Sequence, residues 1–200
     1  MKKFASFVLL LGVTGVVHGA TLSWSAANIY QPGTTTALSS GVAYLFVTEQ
    51  SKDFGSTVTT VDSVTDLIKS GAEFYTETTG TGSEQVTKNY IKKGDDKIQI
   101  AAIGATTSAG RLSGATGYYG NFGAGDSLKA FAVVFDADTL AGASNFLVTE
   151  TKEASWTSAT GAKTLGFGNQ ANATWTPVPE PSTAVLALAG LALLLKRRRA

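Results

Sequence analysis

The chain has 200 residues, with 16 Lys and Arg against 15 Asp and Glu, a single histidine and no cysteine. Six of the basic residues lie near the two ends, so residues 21–176 hold ten basic and fourteen acidic residues, and this acidic body lacks the cationic surface that nucleic-acid binding requires. The missing cysteine, and the position of His18 at the end of the first apolar segment, also exclude disulfides, Ser-His-Asp or Cys-His hydrolysis and histidine-ligated zinc in that body.

Residues 1–20 have the organisation of a secretory signal peptide. Lys2 and Lys3 form a positive start, and an apolar run follows over residues 4–17. The run is too short for a stable transmembrane anchor but has the length of a signal-peptide core. We therefore expect cleavage near residue 20 and export through Sec-type machinery.

The segment 21–176 predicts a single, mostly β domain. It is rich in Thr, Ser and Gly, with short runs of Val, Ile, Phe, Tyr and Trp between turn residues, a pattern typical of strands. We expect an antiparallel β-sandwich or jelly-roll-like domain. The predicted strands are 21–26, 41–49, 72–78, 84–91, 97–103, 128–136, 145–151, 164–167 and 173–176.

Two of these strands and one helix have stronger signals. Residues 41–47 and 130–135 are almost continuously apolar, which indicates strands covered on both faces. The predicted helix covers about 60–70, because Thr60 can cap its start, Gly71 can end it, and its apolar residues share one face.

The C-terminal segment 177–200 predicts an extracytoplasmic domain attached to a membrane. The prolines at 177, 179 and 181 make an extended spacer, and residues 184–195 form a short apolar helix. Its dozen residues cover about 18 Å of a hydrocarbon core of about 30 Å, so the neighbouring residues must help it to span. The cationic cluster Lys196, Arg197, Arg198 and Arg199 sets the orientation, because such clusters stay in the cytoplasm.

Together, the residues Val178-Pro-Glu-Pro-Ser-Thr183, the short apolar helix and the terminal cationic cluster resemble the PEP-CTERM protein-sorting domain. The resemblance is confined to about the last 23 residues. It implies that Pro179, Glu180 and Pro181 are recognised by exosortase, a transpeptidase-like membrane enzyme that cuts near this motif. It also implies a bacterial surface, matrix or biofilm setting with exopolysaccharide, but the bodies of such proteins differ too widely for it to imply an activity.

Carboxylates near strand ends are the candidates for a metal site. Asp136 and Asp138 follow an apolar strand and can supply hard oxygen ligands for a structural Ca²⁺. The further ligands would be Asp95, Asp96 or Asp126. The spacing does not match an EF-hand loop, and acids at strand ends also cap turns and keep a surface soluble. We expect no resident metal or cofactor.

A second alternative for the carboxylates is polysaccharide hydrolysis. Glycosidases need two carboxyl groups that face each other across a cleft, and the sequence alone does not pair the candidates. These are Glu73, Glu77, Asp136 and Asp138. We therefore expect a protein that is not an enzyme.

Aromatic residues suggest a site for sugar rings. The glycine-rich segment 114–125 reads as a loop and contains Tyr118 and Tyr119, whose rings can stack on saccharides or simply pack over the loop. The leading hypothesis is a structural or adhesive surface protein associated with exopolysaccharide. A carbohydrate-binding module is the alternative.

Overall fold

The computed structural model describes residues 20–50, 59–82, 85–107, 109–120, 124–157 and 161–179. Within these ranges the chain forms one α-helix, α1 (Val61–Lys69), and the following strands. They are β1 (Ala20–Ala27), β2 (Val42–Gln50), β3 (Glu73–Thr79), β4 (Val86–Lys93), β5 (Asp96–Ile100), β6 (Ala102–Thr106), β7 (Leu112–Gly120), β8 (Ser127–Phe135), β9 (Asn145–Val148), β10 (Lys152–Ser155), β11 (Ala162–Asn169) and β12 (Thr176–Pro177).

The strands of the described ranges form two sheets. A nine-stranded sheet has the order β11-β1-β7-β6-β2-β8-β9-β12, with β10 also paired to β8, and a three-stranded sheet has the order β3-β4-β5. All pairs are antiparallel except β1 with β11. The predicted mostly β fold with antiparallel strands and one short helix is confirmed.

The two apolar runs are the central strands of the large sheet. β2 and β8 pair with each other, and Tyr44 lies opposite Val133. Alternate residues along both strands reach opposite faces, and both faces are buried from Val42 to Val47 and from Ala130 to Phe135. The prediction that these strands are covered on both sides is confirmed.

One face of the large sheet is covered by α1 and the small sheet. Val64, Leu67 and Ile68 of the helix pack with Ile91 of β4 and Phe131 of β8, in a group that we call the helix-side core. The helix forms where the sequence predicts it. Thr60 caps its start by accepting from the Ser63 amide, and Gly71 follows its end with a φ of 85°, which glycine adopts without strain.

The large sheet itself encloses the other face. It curls until β10 lies beside β11. Trp24 of β1, Leu45 of β2, and Leu165 and Phe167 of β11 are buried inside the curl. This large-sheet core is enclosed by strands from both ends of one sheet. The architecture is therefore a rolled sheet with a helix and a three-stranded sheet packed on its outside.

The structure departs from the predicted strands at four places. Of the predicted strand 173–176, only Thr176 lies in a strand, β12. The predicted strand 97–103 is two strands, because the chain changes sheets at Ala101, whose amide donates to the Leu45 carbonyl over 2.8 Å. The short strand β10 has no counterpart among the predicted strands. The segment 114–125 was predicted as a loop, but residues 112–120 form β7, which is paired to β1 and β6.

The segments with membrane-related predictions lie outside the described residues. They are the signal peptide before residue 20, the apolar stretch 184–195 and the cationic cluster Lys196–Arg199. Among the residues that the structure does describe, no helix is long and apolar enough to cross a bilayer.

Candidate functional site

The last described segment of the chain, residues 175–179, is held to the body by successive hydrogen bonds. The Trp175 indole donates to the Tyr30 carbonyl over 3.1 Å. Thr176 and Pro177 then form β12 at the edge of the large sheet, paired with Phe146 and Asn145, and the Val178 amide donates to the Ser144 carbonyl over 2.9 Å. We call residues 176–179 the tail junction.

The tail junction shortens the predicted spacer. The sequence assigned Pro177 and Val178 to an extended segment between domain and tail, whereas Pro177 lies in an edge strand, where a missing amide is tolerated. Val178 packs against the helix-side core. Of the predicted recognition residues, Pro179 is the last that the structure describes, and Glu180 and Pro181 lie outside. Residues 177–179 of the predicted tail segment 177–200 are therefore part of the folded body.

A large groove adjoins the tail junction. It has a volume of about 1020 Å³ and is lined by β2, β3, β6, the loop 138–144 and residues 177–179. Tyr44 is buried in its floor and stacks on Phe74, with ring centroids 5.9 Å apart. Ile103 lies opposite Tyr44 on β6. Phe74 and Ile103 are 43% and 44% exposed, so the wall of this apolar groove presents uncovered hydrocarbon to its surroundings.

Asp136 holds the loop that forms one side of the groove. Its carboxylate accepts from the Ser144 amide over 2.8 Å, from the Asn145 amide over 2.9 Å and from the Asn145 side chain over 2.8 Å. Ser144 and Asn145 are also the residues that hold the tail junction. Asp136, which the sequence offered only as a candidate for Ca²⁺ binding or hydrolysis, thus connects the end of β8 to the loop residues Ser144 and Asn145.

The other predicted carboxylates are dispersed over the fold. Asp138 accepts from the Ser40 hydroxyl over 2.5 Å, Asp95 and Asp96 lie at the β4–β5 turn, and Asp126 precedes β8. Glu73 and Asp138 both line the apolar groove. In the described part of the chain, no three acidic or histidine side chains come together as a set that could hold a metal ion.

Tyr118 and Tyr119 lie in β7, near its C-terminal end, and not in a loop. The backbone of β7 pairs with β1, with Gly120 opposite Ala20. The aromatic platform predicted for these two residues would therefore lie on a strand and not on a loop. The side chains of Tyr118 and Tyr119 lie outside what the structure describes.

A different aromatic surface lies on the small sheet. Tyr75, Tyr90 and Gln99 are directly opposite one another on β3, β4 and β5, so they share one face. The rings of Tyr75 and Tyr90 are 6.4 Å apart, and Tyr75 is 41% exposed. The same face carries five charged side chains on either side of this row. They are Glu73, Glu77, Lys88, Lys92 and Lys97, and we call the whole surface the tyrosine face.

Lysine side chains lie over both rings of the tyrosine face. The Lys92 and Lys97 amines are 4.8 Å and 4.7 Å from the centroids of Tyr75 and Tyr90, within the range of cation–π attraction. Lys97 also bonds Glu77 over 2.8 Å. This ion pair lowers the pKa of Glu77 and raises the pKa of Lys97, so both groups remain charged over a wide pH range.

The sequence contained a signal for the tyrosine face. Glu73, Tyr75 and Glu77 alternate along β3, and Tyr90 and Lys92 alternate along β4, as residues on one side of a strand do. The pairing register that brings the two tyrosines together is not visible from either strand alone. The tyrosine face and the apolar groove are therefore products of the fold.

Comparison with known proteins matches one part of the chain. Residues 177–200 match the PEP-CTERM protein-sorting motif. This match indicates an exported protein that is sorted by exosortase, a membrane enzyme, from a membrane-anchored precursor. The comparisons with curated proteins and with solved structures found no match.

Proposed function

We propose that the PEP-CTERM motif delivers the β-rich body to the cell surface, where it acts as a non-catalytic structural or adhesive component among extracellular polysaccharides. The observation that carries this proposal is the position of the motif, whose first residues are joined to the folded body by the pairing of Pro177 with Asn145 and by the bond from the Val178 amide to the Ser144 carbonyl. The body is thus the cargo that sorting delivers. In this scheme Sec-type export and removal of residues 1–20 come first, and processing near Pro179 follows.

A non-catalytic role agrees with the states of the candidate acids. A general acid in a glycosidase needs a raised pKa, whereas Lys97 lowers the pKa of Glu77. Asp136 is occupied by three hydrogen bonds within the fold. These two carboxylates therefore support the structure of the body rather than a reaction.

The tyrosine face supports contact with saccharides. An exposed ring such as Tyr75 offers a flat apolar surface to a sugar ring, while the lysines and glutamates beside it can bond hydroxyl or carboxylate groups. These features favour the second candidate function, a carbohydrate-binding module with discrete ligands.

Binding to immobilised glycans separates the two candidates. A carbohydrate-binding module should retain defined oligosaccharides, and Tyr75→Ala should weaken that binding by roughly tenfold, equivalent to about 1.4 kcal/mol. An adhesive component should hold long polysaccharide chains but no short oligosaccharide. Val86→Ala is a matched control, because Val86 is 50% exposed at the other end of the same hairpin. Both candidates fail if the protein retains no glycan of any length.

The same assay tests the sequence-predicted platform. A variant with Tyr118→Ala and Tyr119→Ala should lose binding only if β7 carries the saccharide site. Loss of binding in that variant and not in Tyr75→Ala would move the proposed site from the tyrosine face to β7. Retention in both would refute an aromatic platform at either place.

A further inference from the structure

We propose that the apolar groove faces the membrane in the anchored precursor, and that its rim, formed by Phe74 and Ile103, rests in the lipid headgroup layer. This inference rests on the membrane-anchored precursor of the proposed function. It adds an interaction surface with a defined partner, the boundary between lipid headgroups and acyl chains.

The first argument is the length of chain between the groove and the bilayer. Pro179 lines the groove, and only residues 180–183 separate it from the apolar stretch that begins at Ala184. Even fully extended, four residues span about 14 Å. The headgroup layer on each side of a bilayer takes up about 5–8 Å of that distance. The body thus has no room to stand clear of the membrane.

The second argument is the way in which the junction is held. Pairing of Pro177 with Asn145 and the bond from the Val178 amide to the Ser144 carbonyl fix the direction in which the chain leaves the body. Because Pro179, the last described residue, lines the groove, the side of the body that carries the groove is the side turned toward the membrane. A flexible linker would not impose this orientation, but a paired strand does.

The third argument is the chemistry of the rim. Phe74 and Ile103 are two large apolar side chains that the fold leaves nearly half exposed on one groove wall. Apolar side chains of this kind enter the boundary between headgroups and acyl chains favourably, and Lys93 next to Gly71 lies nearby to meet lipid phosphates. The exposed apolar rim of the groove therefore suits contact with a lipid surface, and the short chain segment 180–183 holds it close to that surface.

A fluorophore at a single introduced thiol tests this orientation. The described chain has no cysteine, nor does the rest of the sequence, so Ile103→Cys gives one labelling site on the rim. Val86→Cys is the matched control, with 50% against 44% exposure. The full precursor is reconstituted in phosphatidylethanolamine vesicles that contain phosphatidylglycerol as the minor lipid. Quenchers are attached to the lipid acyl chains.

The proposal expects strong quenching and a blue-shifted emission at position 103, and neither at position 86. A flexible Gly-Ser insertion between Val178 and Pro179 should reduce quenching at 103 to the level at 86. Equal quenching at the two positions in the uninserted precursor overturns the proposal. So does a signal at 103 that depends on protein density and not on lipid, since that indicates a second copy in the groove.

Two further measurements distinguish a failure of this proposal from unfolding of the variants and from a failure of the sorting proposal. Near-ultraviolet circular dichroism of both labelled variants shows whether the fold is intact, as expected for substitutions at exposed positions. The vesicles contain no exosortase, so the quenching result does not depend on processing. Failure of the sorting proposal would instead appear in cells as an uncut C-terminus, with the vesicle result unchanged.

Discussion

Replacing Asp136 by alanine should destabilise the protein and loosen the tail junction at the same time. The carboxylate accepts three hydrogen bonds of 2.8–2.9 Å from Ser144 and Asn145. Hydrogen bonds to a charged group contribute about 1.5–3 kcal/mol each, but water can replace part of this at a half-buried site. We therefore expect Asp136→Ala to lower the free energy of unfolding by roughly 2–4 kcal/mol in total.

Thermal unfolding measures this loss against a neighbouring control. For a domain of this size, 1 kcal/mol corresponds to about 2–4 °C, so Asp136→Ala should lower Tm by roughly 5–15 °C. Asp138→Ala removes one exposed bond, to Ser40, and should cost less than about 1 kcal/mol. Asp136→Asn keeps the shape but turns one acceptor into a donor that faces a donor, and should fall between the two.

Hydrogen exchange provides the local readout. The Val178 amide bonds the Ser144 carbonyl, and Asp136 holds the Ser144 amide. The Val178 amide should therefore exchange faster in Asp136→Ala than in Asp138→Ala. The reasoning is refuted if the two variants have equal stability, or if the protection of Val178 does not change.

Two further predictions concern a tight turn and an ion pair. Gly110→Ala should lower the free energy of unfolding in urea by about 2–4 kcal/mol, because φ is +62° and a Cβ would collide with the Ile29 carbonyl. Gly125→Ala, with φ at +91° but open space around it, should lower it by only about 1 kcal/mol. Equal losses of stability in the two variants would refute the collision. Because the pKa of Glu77 is lowered, its ion pair with Lys97 stabilises the fold at pH values above the ordinary glutamate pKa. This stabilisation is lost as pH falls through the lowered pKa. Glu77→Gln should therefore flatten the acid side of a plot of stability against pH, and an unchanged plot would contradict this.

The sequence pattern within a short window was enough to predict strands β2 and β8 and helix α1. The runs at 41–47 and 130–135 are too apolar for any position other than a buried strand, and α1 carries its own cap at Thr60 and its own end at Gly71. The ends of these segments were predicted within one or two residues, because the residues that determine burial and capping lie next to one another in the sequence.

Elements that depend on distant partners were predicted poorly. β7 contains glycines at 114, 117 and 120, and glycine in a strand usually marks a turn or a close approach. Here Gly114 pairs with Trp24 of β1, and on β6 a Cβ at Gly104 would lie 2.9 Å from the Trp24 ring. Small residues surround a tryptophan that lies far away in the sequence, so no local window shows why they form strands.

The same division holds for the candidate sites. The sorting motif is a contiguous sequence, and both the residues and the match place it at the C-terminus. The apolar groove is assembled from β2, β3, β6, the loop 138–144 and the tail junction. Its parts meet only because of the sheet order and the hydrogen bonds of Asp136. Residue types left three roles open for Asp136, which were metal binding, catalysis and the capping of a turn, whereas its position after β8 makes it a support for the junction.

The mass of the C-terminal peptide of the surface-exposed protein tests the account most directly. If exosortase sorts this chain, the peptide should end near Pro181, and Lys196–Arg199 should be missing. The variant with Pro179→Ala and Pro181→Ala should keep its whole tail and stay in the membrane fraction. A wild-type surface protein that still ends in Ala200 would contradict the account.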